Sequence, residues 1–169
     1  MFECNFKFAS ILQLQGTTMN TAKSLDILNH LIEINNDRLE GYKTAGKETI
    51  ETDVQALIAE CIATSQKCRE ELANEVRILG GTPLEGTTTA GKIFRVWMDV
   101  KAGITLTDRR TILNSCQYGD EVTIQVYETV LAKKTDDLSD TQQTMIEAQY
   151  ILIKADHDGV KNLRDMSPK

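Results

Sequence analysis

The sequence predicts an all-α four-helix bundle, and three observations carry that expectation. The 169-residue chain contains only two prolines and ten glycines, too few breakers for a many-turned β-protein. Four long segments repeat apolar residues in alternating steps of three and four, the period of a helix with one buried face. Helix start and stop signals bracket those segments where the periodicity begins and ends.

The first helix is expected to start at Asn20 or Thr21, either a competent N-cap, and to run to about Ala45. Its seam reads Leu25, Leu28, Ile32, Asn35, Leu39, Tyr42. Asn35 is read as a core amide that fixes helix pairing, since a neutral amide binds transition metals poorly. The second helix opens at Thr52, where Thr52-x-x-Gln55 has the form of a capping box, and closes at Gly80-Gly81 with Pro83 beyond. Leu57 or Ile58, then Cys61, Ser65, Cys68, Leu72, Val76 and Leu79 form its stripe. The third runs from about Asp108 to Lys133, with Ile112, Cys116, Gly119, Thr123, Val126 and Val130 on its seam. A second capping box, Ser139-x-x-Gln142, opens the fourth helix, which continues to about Asp165 and carries Ile146, Tyr150, Ile153, His157 and Val160 on one stripe.

The links decide the topology. Short ones join helices one and two and helices three and four, so each pair is expected to form an antiparallel hairpin. Residues 81–107 form a long middle connection with a short amphipathic helix of its own. Ile93, Val96, Trp97 and Val100 lie on one side of that helix, Gly103 closes it, and Trp97 is expected to pack against the bundle. Such a crossover lets helices two and three run parallel, the ferritin-like arrangement. One domain is expected, spanning residues 19–166. Residues 1–18 are read as an N-terminal extension, either disordered or a start assigned too far upstream of Met19. Gln13 and Gln15 interrupt their apolar stretch and Lys7 alone makes a poor basic region, so a signal peptide is not expected.

Charge and cysteine usage narrow the function classes. The formal net charge is −6 and no Lys/Arg cluster appears, which argues against a nucleic-acid partner. No apolar run approaches the roughly 20 residues needed to span a bilayer, so no membrane partner is expected. Of Cys4, Cys61, Cys68 and Cys116, the middle two fall on one helix face, two turns apart, too far to bridge. The cysteines read as small core residues in a reducing cytoplasm. There is no P-loop, dinucleotide fingerprint or nucleophile elbow.

Five strings, LNHLIE (28–33), CREELANEVRILGG (68–81), FRVWMDVKAGIT (94–105), CQYGDE (116–121) and KADHDGVKNLRD (154–165), together resemble a bacterial family of ferritin-like four-helix-bundle proteins known as a domain of unknown function. The resemblance runs from about Thr21 to Asp165. It implies the fold and a remote kinship with rubrerythrins and bacterioferritins, and it brings no established activity.

A carboxylate-bridged di-iron centre needs a glutamate from each of two helices and Glu-x-x-His from each of the other two. This chain has two histidines, preceded three residues earlier by Ile27 (for His30) and Lys154 (for His157). His30 is expected to face solvent. A reduced site would draw on Glu33 or Glu40, Glu71 or Glu75, Asp120 or Glu121, and His157, holding iron or another divalent metal. The candidate ligands are therefore Glu33, Glu71, Asp120, Glu121 and His157. An ionisable ring on an apolar stripe needs a partner, so His157 is expected to be buried and hydrogen-bonded to Asp120 or Glu121, Asp120 being favoured because Gly119 permits close helix approach. The leading expectation is a non-enzymatic cytoplasmic bundle without a cofactor, acting by interaction or in a stress-associated role, as a homodimer or with another protein. The alternative is a metal-binding relative with oxidase or peroxidase-type chemistry.

Overall fold

The computed structural model describes residues 20–87, 108–133 and 137–167. Among these the chain forms four helices and no strand: α1 is Thr21–Glu48, α2 Thr52–Ile78, α3 Arg109–Ala132 and α4 Asp140–Asp165. The expected short helix around Trp97 and the expected N-terminal extension lie outside the described residues. No described helix is long and apolar enough to cross a membrane.

Local chemistry sets the helix ends. Asn20 caps α1, its Oδ1 accepting from Lys23 N at 3.3 Å. Ser139 and Gln142 form the reciprocal capping box of α4. The box expected at Thr52 does not form: Glu51 occupies the N-cap without a side-chain bond, and Gln55 Nε2 donates to Thr49 O at 2.9 Å. Thr52 is already helical there, so its hydroxyl is not placed to cap. At the other end of α2, Gly80 N donates to Arg77 O and Gly81 N to Val76 O, both at 2.9 Å, which is a Schellman motif. The motif needs its left-handed residue, and Gly80 supplies it with φ 77°. A Cβ on Gly81 would collide with Leu25 of α1, so that glycine lets the end of α2 close onto the start of α1.

Side-chain pairings fix the helix directions. Between α1 and α3, Ser24 Oγ donates to Asp137 O just beyond α3, Asn35 reaches Tyr127 and Arg38 reaches Asp120, so rising numbers in one meet falling numbers in the other. Gln142 with Glu75, Gln149 with Cys68, and Gly159 against Leu57 make α2 and α4 antiparallel as well. Hairpins α1–α2 and α3–α4 complete a square in which α2 and α3 occupy a diagonal and run parallel. The chain leaves α2 beside Leu25 and enters α3 at Arg109, which binds Glu51 and Asp53 at the opposite end of the bundle.

One core runs through the square, with Leu28, Ile32, Leu72, Leu113, Ile146 and Ile153 each at 0% exposure. Two seams agree with the expectation in part: Ile112, Cys116, Gly119 and Thr123 of α3 and Ile146, Ile153 and Val160 of α4 are buried, but other expected members are not. On α3, Asp120 and Tyr127 are buried while Val126 and Val130 are half-buried; on α4, Gln142 and Gln149 are buried while Tyr150 and His157 are half-buried. Polar side chains hold these inward positions because partners on facing helices satisfy them, and periodicity of apolar residues alone cannot register such pairing.

Candidate functional site

The polar residues of the bundle interior form two layers. Asn35, Arg38 and Tyr42 follow one another in steps of three and four on α1, and Asp120, Thr123 and Tyr127 do the same on α3, so each set lies on one inward face. The antiparallel arrangement then places Arg38 level with Asp120 and Asn35 level with Tyr127.

In the first layer the guanidinium of Arg38, 1% exposed, sits at the centre of the bundle. Its Nε donates to Asp120 Oδ1 of α3 at 2.8 Å, and Nη2 donates to Asp156 Oδ2 of α4 at 2.9 Å. Nη1 donates to Ser65 Oγ at 2.8 Å and to Cys61 O at 3.2 Å, both on α2. Tyr42 OH donates to Asp120 Oδ2 at 2.7 Å, and the Tyr42 ring lies 5.0 Å from the guanidinium carbon. One arginine is thus held by all four helices. Burying a cation costs several kcal/mol unless charge and hydrogen bonds compensate, and two carboxylates, a carbonyl and a hydroxyl do so here.

In the second layer, Asn35 Nδ2 donates to Leu31 O at 2.8 Å and to Tyr127 OH at 2.7 Å. Tyr127 OH donates to Gln149 Oε1 at 2.9 Å. Gln149 Nε2 donates in turn to Glu71 Oε2 at 2.9 Å and Cys68 O at 3.3 Å. Asn35 is a core amide as the sequence led one to expect, and its Oδ1 has no partner among the described residues.

Burial sets the direction for Asp120 and the three interior cysteines. It pushes the Asp120 carboxyl above its ordinary range, while Arg38 and Tyr42, with a smaller effect from His157, pull it back. Arg38 is raised well above its usual value, since its carboxylate neighbours outweigh the cost of burial, and it remains a cation. Burial holds Cys61 and Cys68 up to about 12, and Cys116 is likewise raised. All three are buried free thiols, as expected.

The candidate ligands are distributed as follows. Asp120 lies at the centre, both oxygens engaged by Arg38 and Tyr42. His157 is half-buried and close enough to act on Asp120, but the expected hydrogen bond to Asp120 or Glu121 is absent. Its Nδ1 is enclosed without a partner among the described residues. Asp156, one position earlier and about 100° away on the helix, makes the contact with the centre instead. Glu71 is half-buried between Lys67 and Gln149. Glu33 is half-buried beside His30, whose exposed ring stands 3.9 Å away. Glu121 is exposed and accepts from Gln117 Nε2 at 2.8 Å. Among the described residues, no three His, Cys, Asp or Glu side chains gather in a metal-binding arrangement.

Sequence reasoning did not find Arg38, Asp156, Tyr127 or Gln149. A signal existed for the first: Leu31, Asn35, Arg38, Tyr42 and Ala45 keep seam spacing as regularly as the apolar residues do. Arginine at such a position reads by default as a solvated residue.

These features define a four-helix-bundle protein whose interior is closed by a polar network centred on a buried arginine. The family model for a domain of unknown function, DUF2383, matches residues 23–133. The chain belongs to that family. The matched span includes Arg38, Tyr42, Ser65 and Asp120, whereas Asp156 and His157 lie beyond it. No curated protein matches the chain.

Proposed function

We propose that this protein is a non-enzymatic member of the ferritin-like bundles, and that it works through its outer faces. The observation that carries the reading is the position of the Arg38 guanidinium between Asp120 and Asp156. A fixed positive charge already neutralises the carboxylates that a central metal would need, and a cation approaching them meets repulsion in a region of low dielectric. The ferritin-like kinship rests on the parallel diagonal of α2 and α3, joined across the bundle by a long connection. Three buried thiols suit a reducing compartment such as the cytoplasm.

The experiment is elemental analysis of untagged protein, followed by anaerobic loading with ferrous iron and exposure to oxygen. Sub-stoichiometric metal and iron oxidation no faster than in buffer are expected. Tightly bound iron with rapid oxidation, lost in Asp120→Asn or Glu71→Ala, would overturn the proposal.

One observation favours the second reading, a metal-binding relative with oxidase or peroxidase-type chemistry at a reduced carboxylate/histidine site. His157 Nδ1 is buried, unpartnered and near Asp120, and an imidazole nitrogen is a good ligand for iron. In that case added metal raises the melting temperature of the wild type and leaves His157→Ala unmoved.

A further inference from the structure

The outward face of α4 carries a pattern that the interior does not explain. Ile151 points away from the core, 65% exposed, between the exposed alanines Ala148 and Ala155. Leu152, 38% exposed, widens the apolar strip toward α2. Steps of three and four put Ala148, Ile151 and Ala155 on one seam, as in a helix that packs against another. Along one flank of that seam, at steps of seven, stand Asp140, Glu147, Lys154 and Lys161, all exposed. Among the described residues none of the four has an ion-pair partner within the chain; Lys154 Nζ lies 5.6 Å from the centre of the Tyr150 ring.

The order of signs along this flank is minus, minus, plus, plus, and it inverts between Tyr150 and Ile151. A parallel copy of the helix would set each charge against itself. An antiparallel copy sets Asp140 against Lys161 and Glu147 against Lys154, each pair occurring twice by symmetry. In antiparallel helix pairs a flanking stripe faces the same stripe of its partner, so the geometry allows these contacts while the two Ile151 side chains meet near the two-fold axis. Asp158, on the same face, comes opposite Thr144, whose hydroxyl can donate to it. The small alanines let the backbones approach, and the charges fix direction and register.

We infer that the outward face of α4 is a homodimer interface, on which a second copy of this chain docks antiparallel about a two-fold axis near Tyr150 and Ile151. The inference deepens the surface-based reading above by naming the partner. It is tested by a different measurement, since metal uptake would defeat that reading and leave this one standing.

The test is sedimentation equilibrium of the full chain at low ionic strength. The wild type is expected to be a dimer. Glu147→Lys and Lys154→Glu each turn two attractive contacts into two repulsive ones, so each raises the dissociation constant at least about tenfold. The double variant restores opposite signs and brings the constant back to within about threefold of the wild type. Both positions are exposed, and unchanged circular dichroism and melting of a dilute sample verify the fold. A chain that stays monomeric at high concentration, or a dimer indifferent to the single reversals or not rescued by the double, would overturn the inference. The last two outcomes would move the contact to another face or another register.

Discussion

Arg38 of α1 and Asp120 of α3, 1% and 0% exposed, meet through a 2.8 Å bond from Nε to Oδ1 in the middle of the bundle. Neither charge has solvent to fall back on, so each depends on the other. Removing one partner of a buried pair commonly costs about 3–5 kcal/mol, because an uncompensated charge is left behind. Arg38→Ala is therefore expected to lose about that much in urea unfolding. Arg38→Lys should rescue little, since an ammonium cannot reach three helices in the fork geometry of a guanidinium. Replacing Arg38 by Met together with Asp120 by Leu should cost much less than the sum of the single changes. Additive costs in that cycle would show that the pair is not coupled.

Tyr127 links the second layer by accepting from Asn35 and donating to Gln149. Tyr127→Phe keeps the ring and removes the oxygen, stranding a buried donor and a buried acceptor. A loss of about 1–3 kcal/mol is expected from the unsatisfied groups. Gln149→Leu in the same background should recover part of it, because one stranded group is then gone. No change in the unfolding midpoint for Tyr127→Phe would mean that this layer is not fully desolvated.

The fold was legible in the sequence because a buried helix face repeats at fixed spacing, whatever lies on the other side. The seam of α1 and that of α2 appear in the structure nearly residue for residue. The centre was less legible, because a buried charge is tolerable only when its partners arrive from other helices, and those pairings are not a property of any one segment. Asn35 could be recognised as a seam amide. Arg38 keeps the same seam spacing but reads by default as solvated, as arginine on a helix ordinarily is. On α4 the apolar stripe pointed to His157 as the inward residue, and Asp156 reaches the centre in its place because Arg38 needs a carboxylate. The sign inversion along the α4 flank acquires meaning only once those residues are known to face outward.

Arg109 at the start of α3 binds Asp53 in the first turn of α2, with Nη2 2.6 Å from Oδ2, and also binds Glu51. Hydrogen bonds from Arg109 lower the Asp53 carboxyl from 3.8 to about 2. A carboxyl lowered in the folded state stabilises above its unfolded value and loses that contribution as pH falls through its folded value. The stability difference between wild type and Asp53→Asn should thus be constant at neutral pH, shrink below pH 3.8 and vanish near pH 2. The pair is exposed, so the difference is small and weakens with salt. A difference that persists undiminished to pH 2 would place its origin in something other than the ion pair.

Cys61, Cys68 and Cys116 lie at 0%, 0% and 1% exposure. The thiolate is the reactive form, and burial raises the first two from 9.0 to about 12. That difference alone makes the thiolate roughly a thousandfold scarcer near pH 8, before the barrier to reagent entry is counted. Native protein treated with iodoacetamide should therefore leave all three unmodified, and denatured protein should label at all three. Peptide mapping by mass spectrometry is the required readout, since it separates them from Cys4, which lies outside the described residues. Intermediate urea provides the sharper form of the experiment. Labelling of Cys61 and Cys116, which flank Arg38 and Asp120, should rise with global unfolding of the wild type and at lower urea in Arg38→Ala. Rapid native labelling of either cysteine would show that the layer around Arg38 opens locally, and would contradict the tight packing on which the buried ion pair depends.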